Sequence, residues 1–274
     1  MAVTLPPNTF YVVSYPRSGN TWLINCLVLL LNGVRGEDSP YQLNTEAHGS
    51  AADGFQFWCE PRQHATQAIC LKSHDDMVRF RQHHPPAPIV YIARDARDSL
   101  LSYYFFRQAY PTLATEELSK TKIKGTEVLL SRGGVEPVFE AAGFAEFLRT
   151  EAPLWLAHVN SAQADAATCY LTYEEFKADF TRTLERVAAH LQLPQSKSCA
   201  EVEAVYYSGF KKIFSGSGRD FFRRGEVGDW KNWFTPVHAR LLDQLIGRDL
   251  IRLGFETDAA WATNYQPAKT SPTA

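Results

Sequence analysis

Between an apolar strand-like run, Phe10 to Val13, and an apolar helix-like run, Leu23 to Leu31, the chain carries the segment Ser14-Tyr15-Pro16-Arg17-Ser18-Gly19-Asn20-Thr21-Trp22. A strand that feeds a helix through a short Ser/Gly/Thr loop is the opening of an α/β unit. It aims the helix's unpaired backbone N–H groups and the positive end of its dipole at one point, where a phosphate can sit. Arg17 adds a cationic fork. With one glycine in the loop, the segment taken alone fits an ordinary strand–turn–helix corner equally well.

Three further segments add chemistry. Leu71-Lys72-Ser73-His74 closes an apolar run that starts at Ala68, and so falls at the carboxyl end of an expected strand, where α/β sheets place their ligands. Residues two apart on an extended chain point the same way, so Lys72 and His74 can share a face: a group that takes a proton at neutral pH beside one that neutralises anionic charge. The run Ile89 to Ala93 ends in Arg94 and opens a helix, with Asp95 and Asp98 spaced like a capping box and Ser102 about two turns further on. Arg94 and Ser102 are both placed to face an anion. Late in the chain, Phe221-Phe222-Arg223-Arg224-Gly225-Glu226-Val227-Gly228-Asp229-Trp230-Lys231 joins adjacent arginines to a Gly-x-x-Gly spacing, and paired guanidinium forks suit a terminal phosphate.

Four short runs, Phe10 to Ser14, Ala68 to Lys72, Ile89 to Ala93 and Thr168 to Thr172, are apolar on consecutive positions, the pattern of strands buried on both faces of a parallel sheet. They alternate with helical patterns over Thr21 to Asn32, Ser99 to Gln108, Phe144 to Asn160, Glu174 to Leu191 and Val237 to Leu253. The expected architecture is a three-layer α/β fold with a central parallel sheet flanked by helices. Its 274 residues read as a single domain, with a frayed tail from about Ala262. Two weakly periodic stretches, Arg35 to Gln67 and Tyr110 to Pro137, read as binding loops. With Phe55, Phe57, Trp58, Tyr104, Phe105 and Phe106 they suggest an aromatic-lined acceptor pocket. His83-His84 before Pro85-Pro86 reads as a solvated loop.

With 28 basic and 30 acidic residues, the chain has no bulk attraction for nucleic acid or an anionic membrane, so local clusters must bind any anion. Neither a signal peptide nor a membrane-length apolar run is present, so a soluble protein is expected. Cys26, Cys59, Cys70, Cys169 and Cys199 form an odd set with no Cys-x-x-Cys pair, which fits free thiols in a reducing cytoplasm. The histidines show no metal-ligand spacing.

Together the four segments resemble the sulfotransferase superfamily, closest to the cytosolic-type enzymes that use 3′-phosphoadenosine 5′-phosphosulfate (PAPS) and release 3′-phosphoadenosine 5′-phosphate (PAP). The resemblance runs in order through most of the chain and implies a P-loop-like version of the same fold. It implies that Ser14 to Trp22 form the 5′-phosphosulfate loop, with Arg17, Ser18, Gly19, Asn20, Thr21 and Trp22 as its binding residues, Arg17 standing where the cytosolic enzymes usually have lysine and Asn20 where many have threonine. Arg94 and Ser102 match the 3′-phosphate pair, and Arg223, Arg224 and Gly225 match the late segment that grips the same phosphate. Gly225, Gly228 and Lys231 reproduce a Gly-x-x-Gly-x-x-Lys spacing. His74 falls on the catalytic base and Lys72 on its companion, while Trp22, Tyr173, and Ser208 with Phe210 fall on positions that hold adenine.

The implied chemistry is metal-free, in-line transfer of a sulfuryl group to a hydroxyl or amine of a small-molecule acceptor, with Arg17 and Lys72 stabilising negative charge. Arg17 can hold a leaving phosphate but cannot hand over a proton. The family's dimer motif would fall on Lys231, Thr235, Pro236 and Arg240, where only its first half survives, so a monomer or another interface is expected. A phosphotransferase using ATP and Mg²⁺ would show Gly-Lys-Ser/Thr in the loop and an acidic strand end; this chain shows neither. A non-catalytic binder of the desulfated nucleotide would need neither His74 nor Lys72.

Overall fold

All four apolar runs become parallel strands. In the computed structural model, which describes residues 8–32, 41–43, 57–59, 69–84, 86–109, 138–205 and 225–267, they are β1 (Thr9–Val13), β4 (Ile69–Ser73), β5 (Ile89–Ala93) and β6 (Thr168–Thr172). β1 is the centre of this parallel group. It pairs with β4 from Thr9 opposite Ile69 to Val13 opposite Ser73, and with β5 from Tyr11 opposite Ile89 to Val13 opposite Tyr91. Two short antiparallel strands, β2 (Tyr41–Leu43) and β3 (Phe57–Cys59), extend the sheet to the order β2-β3-β4-β1-β5-β6.

Successive side chains of a strand face opposite sides, and here the two sides build two cores. Tyr11, Val13, Leu71, Ile89 and Tyr91 pack beneath α2 (Met77–His83), α3 (Ala96–Ala109), α4 (Ala141–Ala164) and α8 (Pro236–Arg252). Phe10, Val12, Cys70, Val90, Ile92 and Leu171 pack beneath α1 (Asn20–Asn32), α5 (Tyr173–Ala178), α6 (Phe180–Leu191) and α7 (Cys199–Val205). The fold is therefore the expected three-layer α/β arrangement. α6 shows why its sequence is helical: Phe180, Thr183, Leu184, Val187, Ala188 and Leu191 are buried at helical spacing on one face.

The structure corrects several sequence expectations. The helix expected over Glu174 to Leu191 is two helices, because Asp179 leaves helical geometry (φ −140°, ψ 78°) and its side chain caps α6 at the Arg182 N–H. β6 alternates buried and half-buried positions, as befits an edge strand, whereas β1 and β5 are buried throughout. His84 is no solvated loop residue: its ring stacks on Phe80 at 4.4 Å and its Nε2 lies 2.9 Å from Asp75. The expected fraying at Ala262 does not occur in the described part of the tail. Ala262 is buried, and the Tyr265 hydroxyl donates to the carbonyls of Lys231 and Phe234. Cys26, Cys70, Cys169 and Cys199 are buried free thiols. No described helix is long and apolar enough to cross a membrane, and no group of three potential metal ligands occurs among the described residues.

Candidate active site

The carboxyl ends of all four parallel strands meet along one edge of the sheet. β1 runs into Ser14, β4 into His74, β5 into Arg94 and β6 into Tyr173. β1 also sits where strand order reverses, with β4 on one side and β5 on the other, which is the crevice position that open α/β sheets use for ligands. The sequence-predicted residues Arg17, Lys72, His74, Arg94, Ser102 and Tyr173 thus come to this edge from the loop after β1, from β4, from the end of β5, from α3 and from the start of α5.

The loop after β1 is tied at both ends: the Ser14 N–H donates to the Ser73 carbonyl at 3.2 Å, and the Leu23 N–H bonds the Gly19 carbonyl in the first turn of α1. Since α1 opens at Asn20, the predicted loop residues Asn20, Thr21 and Trp22 form its first turn, the positive end of its dipole. Gly19 has φ +99°, and a Cβ there would lie 2.6 Å from the Tyr173 ring. Gly19→Ala should therefore lower stability by about 1–3 kcal/mol through backbone strain and overpacking; an unchanged urea midpoint would contradict this. Ser18 Oγ lies 3.4 Å from Ser99 Oγ, so the loop also touches α3.

Arg17 adopts φ +66°, and its Nε donates to Ser102 Oγ at 3.2 Å while its guanidinium covers the Phe106 ring at 4.8 Å. Two residues that the sequence placed on different phosphates are thus in contact. Arg94 braces the site. It donates to the Glu226 carbonyl at 2.8 Å and to the Arg17 carbonyl at 3.5 Å, stands 3.6 Å from Asp98, and lies over the Tyr173 ring at 4.5 Å. Its Nε is buried and has no acceptor among the described residues.

His74 Nδ1 lies 2.7 Å from the Ser14 carbonyl, an atom that only accepts, so Nδ1 carries the proton and Nε2 presents a lone pair. Asn20 Nδ2 stands 3.4 Å from that Nε2. Burial, with Lys72 as the next cause, holds the imidazole well below its ordinary pKa, so it is neutral at physiological pH. Lys72 itself is pushed down to about 7 by burial and by the Arg17 charge. An anion brought between Arg17 and Lys72 would restore the ammonium form, since an opposite charge favours it.

On the other core face Trp22 packs edge-on to Tyr173 at 5.2 Å and stacks on Phe176 at 4.3 Å. The Tyr173 hydroxyl donates to the Gly225 carbonyl at 2.8 Å, and Lys177 donates to the same oxygen. The late glycine thereby reaches the same edge of the sheet as Tyr173. Ser208, Phe210, Arg223 and Arg224, and most of the two predicted loops, lie outside the described residues.

Sequence reasoning missed several buried polar groups. The Asp95/Asp98 pair makes only half of a capping box: Asp95 Oδ1 accepts the Arg97 N–H in the first turn of α3, but its own N–H bonds Glu174, and Asp98 accepts the N–H groups of Gly228 and Trp230, tying the late segment to α3. Arg97 is chelated by Asp95 and Glu256 between the Trp230 and Trp261 rings. Tyr15 donates to buried Glu151 at 2.6 Å, which also pairs with Arg107. The available signal was a charged or polar residue inside an apolar helical face, which is costly without a partner. Thr235 and Pro236, half of the dimer motif, serve as the cap and first residue of α8.

The sulfotransferase domain family model matches residues 7–254. Flavonol 3-sulfotransferase of Flaveria bidentis is 25% identical, with 89% of this chain and 82% of that protein aligned. Cytosolic sulfotransferase 5 of Arabidopsis thaliana is 24% identical, with 89% and 80% aligned. Among solved structures, mouse SULT7A1 complexed with PAP superposes with a TM-score of 0.56 at 20% identity, covering 89% of this chain and 84% of that one. Retinol dehydratase with retinol and PAP gives 0.54 at 17% identity, covering 90% and 82%.

Proposed function

The chain belongs to the sulfotransferase family and is a PAPS-dependent enzyme; we propose that it moves the sulfuryl group to a hydroxyl or amine of a small molecule, with His74 as the base. Two features of the site fit the nucleotide: the Arg17 guanidinium beside the Lys72 amine, whose pKa it helps to lower, and the buried Arg94 Nε, which has no acceptor among the described residues. Bound PAPS supplies the sulfuryl group and departs as PAP. The observation that carries the base assignment is the 2.7 Å contact of His74 Nδ1 with Ser14, which leaves Nε2 as the proton acceptor.

In this reading His74 Nε2 takes the acceptor's proton as the acceptor attacks, and Asn20 gives way to the acceptor at that nitrogen. Arg17 and Lys72 neutralise charge on the sulfuryl oxygens and on the departing phosphate. Arg94 and Ser102, with Arg223 and Arg224, hold the 3′-phosphate; Gly225 closes that side. Ser18, Gly19, Asn20 and Thr21 frame the 5′ end, and Trp22, Tyr173, Ser208 and Phe210 hold adenine. Of the four positions on the dimer motif, Thr235 and Pro236 cap and open α8; the reading of a monomer or another interface rests on Pro236 and Arg240 standing in the motif's second half. Relatives named as cytosolic enzymes support a cytoplasmic location.

Fixed cations and backbone amides do this work without a metal. Incubation with PAPS and a panel of phenols, alcohols and amines, in excess EDTA, is expected to yield a sulfated acceptor and stoichiometric PAP. Activity that vanished in EDTA and returned with Mg²⁺ would overturn the metal-free reading.

A further inference from the structure

His74 is gripped from behind. Its backbone carbonyl accepts from His158 Nε2 at 3.1 Å, and His158 Nδ1 faces the Tyr91 hydroxyl at 2.7 Å. Because a carbonyl can only accept, His158 Nε2 carries the proton and Nδ1 accepts from Tyr91. Burial keeps this imidazole below its ordinary pKa, so it stays in that neutral tautomer. Both residues are deep in the protein, Tyr91 fully buried and His158 6% exposed. The Tyr91 hydroxyl also engages the Tyr15 backbone, in the loop whose Ser14 carbonyl holds the His74 ring.

One helical turn along α4, Ser161 Oγ accepts the Met77 N–H at 2.9 Å and donates to the His158 carbonyl at 2.7 Å. The turn Ser73 to Met77 is therefore pinned to α4 at two points, one of them the main chain of His74 itself. A histidine ring whose side chain bonds one loop and whose carbonyl bonds a helix has little freedom to drift, and displacements near 1 Å cost reaction geometry dearly. A buried His–Tyr pair of this kind is expensive unless fully satisfied, and its connections outward run to the His74 carbonyl and to the Tyr15 backbone of the loop that holds the His74 ring.

We propose that His158, oriented by Tyr91, is a positioning residue that fixes His74 for proton abstraction; this rests on His74 being the base. His158→Phe should lower kcat by about 10–100-fold, with PAP affinity unchanged, because misplacement of the base is felt only in the chemical step. His158→Gln, whose amide N–H sits where Nε2 does, should recover most of the rate.

The decisive test is a double-mutant cycle. In a His74→Ala background, His158→Phe should have no further effect, since its whole action passes through His74. If His158→Phe loses nothing, or loses as much in the His74→Ala background as alone, the inference is wrong. If His74→Ala itself keeps full rate, it is the base assignment that fails instead. Should His158→Phe not fold, Tyr91→Phe, which removes one hydroxyl and keeps the ring, replaces it in the cycle: a rate loss that disappears in the His74→Ala background supports the inference, and a loss that persists there overturns it.

Discussion

Replacing His74 with alanine is expected to slow sulfuryl transfer to a hydroxyl acceptor by about 10²-fold or more, the usual cost of a lost general base. That loss is roughly 2.7 kcal/mol of barrier. PAP affinity should stay nearly constant, because Nε2 points at Asn20 and the ring's other nitrogen is spent on the Ser14 carbonyl. The rate of the native enzyme should also hold as pH falls through the ordinary imidazole range. A base whose pKa is lowered stays unprotonated until the pH drops below that lowered value, and His74 is held well below 6.5. An amine of low pKa would soften the mutant's loss, since its neutral form attacks before its proton leaves. Single-turnover kinetics with bound PAPS, beside PAP titration of the same variant, separates the two steps. Full rate with a hydroxyl acceptor would make His74 structural.

The frame of the site was legible because each part is local. A strand end, a loop and a helix start share one stretch of chain, so Ser14 to Trp22, Lys72 to His74 and Arg94 could each be placed from their own neighbours. The period-2 alternation of the sheet then set Tyr11 and Val13 against Phe10 and Val12 on opposite cores. What stayed hidden is long-range. Asp98 reaches Gly228 across the fold, Arg97 meets Glu256, and His158 reaches His74 from α4. Nothing in the spacing of those residues announces their partners. The Asp98 half of the capping-box reading failed for this reason, since a local cap and a distant tether use the same side chains, while Asp95 does cap α3 at the Arg97 N–H. The split at Asp179 failed differently: its capping chemistry was present in the sequence but overridden there by the apolar period on either side.

The other large effect concerns the 3′-phosphate. Arg94 already spans the crevice, bonding the carbonyls of Arg17 and Glu226, and its buried Nε has no acceptor among the described residues. A charge-assisted hydrogen bond there is worth about 1.5–3 kcal/mol, or about 10–150-fold in affinity. Ser102, Arg223 and Arg224 would add to it. Arg94→Met should therefore weaken PAP binding by about that factor while changing binding of 5′-AMP, which lacks the 3′-phosphate, far less. Comparing the two ligands matters because Arg94 also pairs with buried Asp98, so general damage from the substitution would weaken both equally. The donor assignment is tested most directly by calorimetric titration of the native protein with PAP and with 5′-AMP. PAP is expected to bind at least about 100-fold more tightly; equal affinity for the two nucleotides would contradict the assignment.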